Sequence, residues 1–399
     1  MKSRAAFTVG FIALLISVST ASAQQQPQVP GNPNQPDVED VQKRAERGAA
    51  PSWTYSLGLG ESYESDVSFS GAEGNGDWAR NLTGHLSHIW VLRRGNVEAG
   101  GDVTHNSYHE AEGVSRVTYA FNGGTSYALT RRLNWRMSGS VNQMYSQDAQ
   151  ILIDSGVIYP RVLTRTQGTF LGFTYLLTPR NQLDFSVSTT RVAFVDSDLV
   201  PGTSLVGRAS FSRTVSRGQN IGVSIGHSVS TITGDIEGIM GTWQMTTGPR
   251  FTLHAEGGVR PYKLNEHSTQ YSFVPGGSAG FAATFGRGHT AGFTYEYAVE
   301  QAYGVGGTHF ANRYNSNYSV KIGRRLGLDA NGSYGRNSYP DRPGYILDGR
   351  NVNFGGQYLI GKGLALGASY GLWIRHATDE PSMTTYRTMI SLSYGGGWR

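Results

Sequence analysis

Residues 105–110, His-Asn-Ser-Tyr-His-Glu, bring two imidazoles, a hydroxyl and a carboxylate together, the types that nucleophilic or metal chemistry uses. In an extended strand, alternation puts His105, Ser107 and His109 on one face. Neither an oxyanion site nor an identifiable third metal ligand accompanies them, so the segment reads as a polar strand end. The acidic run VDSDLVPG (195–202) resembles a calcium loop but lacks its ligand spacing. With no Cys in 399 residues, thiolate nucleophiles, thiolate metal sites and disulfides are excluded. The 54 glycines form no phosphate-binding loop, and they suit strands and turns instead. The net charge of +5 is spread without a basic domain, which argues against nucleic acid as a partner. The expectation is a non-enzyme with no cofactor and no metal.

The elements that carry these residues fall into three zones. Lys2 and Arg4, the apolar run Ala5–Val18 and the small-residue site Ala21-Ser22-Ala23 make residues 1–23 a cleavable secretory signal. Residues 24–51 open with a Gln/Pro/Asn-rich stretch and continue through a charged segment; they read as a disordered periplasmic tether. No later segment approaches the ~20 apolar residues of a membrane-spanning helix, but a spanning barrel strand needs only ~10 alternating residues.

From Ser52 onward one hairpin unit repeats. Tight basic turns occur at RRGN (93–96), TRRLN (130–134), TPRNQ (178–182), SRGQN (216–220), TTGPR (246–250), GRGHT (286–290), GRRLG (323–327) and GKGLA (361–365). The flanking stretches alternate with period two. One face reads Val117, Tyr119, Phe121, then Leu133, Trp135, Met137, then Ile221, Val223, Ile225. The other reads Asn134, Arg136, Ser138, Ser140 and Asn220, Gly222, Ser224. These eight hairpins, with a first strand at 52–64 and a last at 382–398, imply 18 strands, 16 being the alternative count. The fold class is all-β: a transmembrane antiparallel up-and-down barrel over residues 52–399, with short periplasmic turns and longer extracellular loops. A β-propeller would need four short strands per repeat, and a sandwich would need an apolar filling that the polar face lacks.

Three further signals agree. Trp53, Trp90, Trp135, Trp243 and Trp398 fall at the tight-turn end, as an interfacial aromatic girdle requires, while Trp78 and Trp373 fall near the other end. Every tight turn holds Arg or Lys and none holds Asp or Glu, whereas acids collect on the loop side. Tyr386, Thr388, Ile390, Leu392 and Tyr394 alternate toward Trp398, resembling the terminal assembly signal of outer-membrane proteins, although Gly395-Gly396-Gly397 is expected to interrupt the strand. Residues 52–399 together resemble the bacterial outer-membrane porin group, and loosely the barrel-porin families attached to exopolysaccharide operons. The resemblance implies the cell outer membrane, lipid and lipopolysaccharide contact, the barrel-assembly machinery as a partner and, by analogy, a homotrimer.

A barrel of this size leaves an aqueous channel. The side chains expected to line it are Glu98, Asp102, Arg116, Arg136, Asp184, Arg208, Glu256, Arg260, Glu296, Arg313 and Arg387, joined by Arg250, Glu300, Lys321 and Asp329. Their mixed signs predict weak ion selectivity. The loop from Gln147 to Leu163 is unusually apolar (Ile151, Leu152, Ile153, Asp154, Val157, Ile158, Tyr159), and its burial inside the mouth would make it a constriction. The expected function is passive diffusion of small hydrophilic solutes. The alternatives are an export barrel for a secreted polysaccharide, with a periplasmic export partner, and a closed structural or enzymatic barrel.

Overall fold

The computed structural model describes residues 52–398, except 68–75, 112–115, 147–160, 233–235, 249, 264–269, 287, 302, 305 and 379. The signal, the tether and the five residues of the expected constriction loop, Ile151, Leu152, Ile153, Asp154 and Tyr159, lie outside the described residues.

Alternating sequence becomes alternating structure. The strands are β1 (Ser52–Glu64), β2 (Asp77–Leu92), β3 (Gly95–Tyr108), β4 (Arg116–Ala128), β5 (Leu133–Tyr145), β6 (Leu163–Thr178), β7 (Asn181–Val195), β8 (Gly202–Ser216) and β9 (Gln219–Ser230). The second half comprises β10 (Ile236–Thr247), β11 (Phe251–Tyr262), β12 (Ser272–Phe285), β13 (His289–Gln301), β14 (Thr308–Ile322), β15 (Leu326–Ser338), β16 (Ile346–Leu359), β17 (Leu364–Ala377) and β18 (Glu380–Trp398). Each strand pairs antiparallel with its neighbours in sequence, and β1 pairs with both β2 and β18, so one 18-stranded sheet closes on itself. Closure leaves no edge strand and satisfies the backbone internally, the condition for a sheet to sit in lipid.

The register fixes which face is outside. Across the seam, Leu57 lies opposite Tyr394, Leu59 opposite Leu392 and Glu61 opposite Ile390. Leu57, Leu59 and Ile390 are 61–65% exposed, far more than a water-soluble protein leaves on a contiguous apolar surface. The opposite parity carries Thr54, Ser56 and Ser62, which are buried. The same division runs around the sheet: Phe121, Phe185, Val187, Ile225 and Phe354 are exposed outside, and Asn134, Ser138 and Asn220 point inward. Apolar outside and polar inside is the order that a bilayer imposes and water reverses.

Aromatic side chains bound the outer band. At the turn side Trp53 stacks on His88, with ring centroids 4.1 Å apart, and His88 meets Trp90 at 4.2 Å. At the loop side Tyr63 packs on Trp78 at 5.4 Å and on Tyr386 at 6.1 Å. Trp53 and Tyr63 on β1 stand roughly 25 Å apart along the axis, at about 3.4 Å per residue and a tilt of about 40°. That height equals the ~25 Å apolar band of transmembrane barrels.

One expectation is corrected here. Gly395, Gly396 and Gly397 do not interrupt the last strand; β18 runs to Trp398, and these glycines pair in register with Ser56, Tyr55 and Thr54. A glycine costs a strand its side-chain contacts, and here the Tyr55 side chain covers the bare Gly396, where a Cβ would lie 3.4 Å from the phenol oxygen and 3.6–3.7 Å from ring carbons.

Candidate functional site: the lumen and its loop-side mouth

Side chains of one parity on every strand face the interior. The register puts Glu98, Asp102 (β3), Arg116 (β4), Arg136 (β5), Asp184 (β7), Arg208 (β8), Glu256, Arg260 (β11), Glu296 (β13), Arg313 (β14) and Arg387 (β18) on that parity. Glu300, Lys321 and Asp329 share it, while Arg250 sits in the turn between β10 and β11. The reason for Arg250's different place is local: β10 ends at Thr247, so the residue belongs to the connection and not to the wall.

Several inward charges are paired. Arg208 reaches across β9 and β10 to Glu256, 2.7 Å away, and also donates to Ser224 Oγ at 2.9 Å. Arg313 binds Glu300 directly and lies 3.6 Å from Glu296. Asp184 accepts from Thr174 Oγ1 at 2.7 Å and from the Gln182 amide at 2.8 Å. Near the turn side, a cavity of about 370 Å³ opens between β6 and β12, lined by Gln182, Ser212, Thr214, Asn220, Gln244 and His254 among others.

The loop side is built differently. Glu64, at the end of β1, is bonded by Arg387 of β18, by Arg161 and by the Tyr108 hydroxyl of β3 at 3.0 Å. The Arg161 guanidinium lies over the Tyr145 ring at 3.9 Å and the Tyr108 ring at 4.7 Å. Glu64 and Arg161 are almost wholly buried. A carboxylate this deep is tolerable only with its cationic partners in place. The cluster joins the first and last strands to the loop after β5, so it locks the seam of the barrel at the mouth.

Beside it stands an apolar cluster of Val192 (β7), Tyr303, Tyr339, Leu347 (β16) and Ala377 (β17), with Met144, Phe194, Leu199, Ile232 and Tyr345 packed against it. β7 and β16 are nine strands apart in the closed sheet, hence on opposite walls of a tube about 35 Å across. The inward folding of Tyr303, Gly304, Gly306 and Gly307 after β13 and of residues 339–345 after β15 bridges that distance. Val200 and Gly304 exchange backbone hydrogen bonds of 3.1 and 2.9 Å, tying the loop after β13 to the loop after β7. Tyr303 Oη lies 3.2 Å from Ser204 Oγ. Gly304, Gly306 and Gly307, all with φ near +80°, let the chain turn inward where a side-chain-bearing residue would be strained. Burial pushes the Tyr339 and Tyr345 phenols upward, so both stay neutral well into the alkaline range.

The sequence points to a constriction in the loop 147–163; its described end supplies Arg161 to the mouth, and the apolar span there is carried by Tyr303 after β13 and by Tyr339 and Tyr345 after β15. The signal for those two loops was weak: Tyr303 stands among glycines, and Tyr339 precedes a Pro-Asp-Arg-Pro-Gly turn. Trp373, expected in the loop-side girdle, instead faces inward and is buried, with the Arg387 guanidinium 5.7 Å from its ring. His105 and Ser107 share the outward face, opposite Leu82 and Arg80, and His109 lies beyond the strand; among the described residues no group of three His, Asp or Glu side chains is placed to hold a metal. Asp196 and Ser197 shape the loop after β7, whose Leu199 packs into the mouth cluster. Trp53, Trp90, Trp135 and Trp243 stand on outward positions of the turn side, and Trp398 pairs with Trp53.

No protein-family model matches the chain, and no curated protein matches it. Among solved structures, it is similar to OccAB4 of Acinetobacter baumannii, with 12% identity over 88% of this chain and 99% of that one and a TM-score of 0.46. It is similar to OpdO of Pseudomonas aeruginosa, with 11% identity over 88% and 98% and a TM-score of 0.48. A third is the outer membrane protein OpdK of Pseudomonas aeruginosa, with 12% identity over 87% and 99% and a TM-score of 0.45. Residue roles do not transfer across such distances.

Proposed function

We propose that this chain is an outer-membrane pore for passive diffusion of small hydrophilic solutes, narrowed at its loop side. The observation that carries the reading is the closed 18-stranded sheet with an apolar exterior, aromatic borders and a polar, charge-bearing interior. A wall of this kind passes solutes that trade hydration for hydroxyl, amide and charged side chains, and rejects apolar ones. The inward residues Glu98, Asp102, Arg136, Asp184, Arg208 and Glu256 serve as its lining. Lipid and lipopolysaccharide surround it, and its assembly calls on the barrel-assembly machinery through the terminal strand. Sugar export finds less support: among the described residues, the inward-parity strand aromatics Tyr108, Phe170, Phe194, Tyr262 and Trp373 are spread over β3, β6, β7, β11 and β17 and form no continuous ladder.

The apolar span of the mouth favours one second reading, a barrel closed until its loops move. Single-channel conductance of the refolded mature protein separates the two. Steady steps from the wild type, made larger by Tyr303→Ala with Tyr339→Ala, fit the narrowed pore. A silent wild type that opens only in this variant fits the closed barrel. Silence from both, in protein shown to be folded and inserted, sinks the diffusion reading.

A further inference from the structure

The outward face carries a feature that a diffusion pore does not need. On β13, β14 and β15 the tyrosines Tyr295, Tyr314 and Tyr334 form one register row, with ring centroids 5.0 and 5.8 Å apart. The row continues onto β16 as Arg350. One step nearer the loops, Asn312, Arg336, Asp348 and His376 form a second, wholly polar row across β14 to β17. Tyr295 donates to Asn312 at 3.2 Å, Tyr334 donates to Asp348 at 3.4 Å, and His376 hydrogen-bonds Ser382 of β18 at 3.0 Å. The stripe is therefore organised over six strands, β13 to β18. Both arginines are exposed: Arg336 is held only loosely, 3.9 Å from Asp348, and Arg350 lies 5.6 Å from the Tyr334 ring centre.

Arginine on the lipid side is costly at the bilayer centre and tolerated only at the interface. Arg350 stands roughly 20 Å above the turn-side Tyr358 of its own strand, at about 3.4 Å per residue and a tilt of about 40°, so it is at the opposite interface. Neutral polar side chains would hold that level equally well. Two guanidiniums against one carboxylate, Arg350 level with the row of phenol rings and Arg336 one step above it, add a local positive charge with planar donor forks. That geometry matches a phosphate oxygen pair over an acyl chain lying on rings.

We propose that Arg336 and Arg350, on their tyrosine shelf, seat a phosphate of the phosphorylated glycolipid in the loop-side leaflet. This rests on the outer-membrane reading, which puts lipopolysaccharide in that leaflet. The contact is direct and differs from cation bridging by acidic loops.

The test is native mass spectrometry of the refolded full barrel after incubation with rough lipopolysaccharide, the same glycolipid enzymatically dephosphorylated, or phosphatidylglycerol. The wild type should retain the phosphorylated glycolipid at least tenfold better than either alternative. Arg336→Gln with Arg350→Gln should lose that preference, Arg350→Lys should keep part of it, and the turn-side outward control Arg213→Gln should keep all of it. Heat-modifiable gel mobility and unchanged conductance would show each variant folded. Equal retention by the double variant, or equal retention of phosphatidylglycerol, overturns the seat while leaving the pore intact. A wild type that does not insert into vesicles at all overturns the spanning barrel, and the seat with it.

Discussion

Glu64 illustrates how one side chain carries more than its own contact. It is a buried carboxylate with two arginine partners and a tyrosine donor, on the strand that closes the barrel. Removing one member of a buried ion cluster leaves the others uncompensated, which costs about 3 kcal/mol or more. Glu64→Gln should therefore lower the stability of the folded barrel by about 3 kcal/mol, read as a lower urea midpoint for loss of the heat-modifiable form. Tyr108→Phe removes the hydrogen bond donated to Glu64 and the one accepted from Arg161, and should cost about 1–2 kcal/mol. Equal midpoints for Glu64→Gln and the wild type would mean that the seam is held elsewhere.

For the strands, the decisive property is parity. Val187 and Ser188 are neighbours on β7, and the first is half-exposed on the outer face while the second points inward. Val187→Arg puts a charge against acyl chains near mid-band, at about 2–4 kcal/mol. Ser188→Arg puts the same charge into the wet interior, where the cost is small. Unfolding measured in vesicles should rank the outer variant as much the weaker. A reversed ranking would mean that the sheet is turned inside out and that the apolar face is a core. Parity was legible from the sequence because the period of two survives in nearly every strand, and because Gly and aromatics share the apolar face where a soluble core would use Val, Ile and Leu. The run Gly395–Gly397 was not legible, since glycine has no side chain to report a face and its extended pairing depends on β1, far away in the chain.

Across the whole molecule the relevant quantity is the balance of inward charge. Carboxylates such as Glu98, Asp102, Asp184 and Glu256 face arginines such as Arg116, Arg136, Arg208 and Arg260 in nearly equal number, and several are paired. A channel lined this way presents no net field to select by sign. The reversal potential of the refolded pore in a potassium chloride gradient should lie close to zero. A value approaching the limit for one ion would show that a few residues, with Arg161 and Arg387 at the mouth the first suspects, dominate the pore.

The chain by itself determined the architecture. Turn spacing sets the strand count, alternation sets inside and outside, and an even number of strands returns both ends to the turn side, where Trp53 meets Trp398. These are local properties, repeated every hairpin, and repetition makes them readable. Tertiary structure alone decided how the mouth is filled. That Val192 and Leu347 belong to one cluster follows from their standing on opposite walls with Tyr303 and Tyr339 between them. That Trp373 faces inward under Arg387, and that two arginines share an outer shelf with three tyrosines, follows from register between strands. Register and shear depend on how the sheet closes, and no stretch of sequence records closure until β1 has found β18.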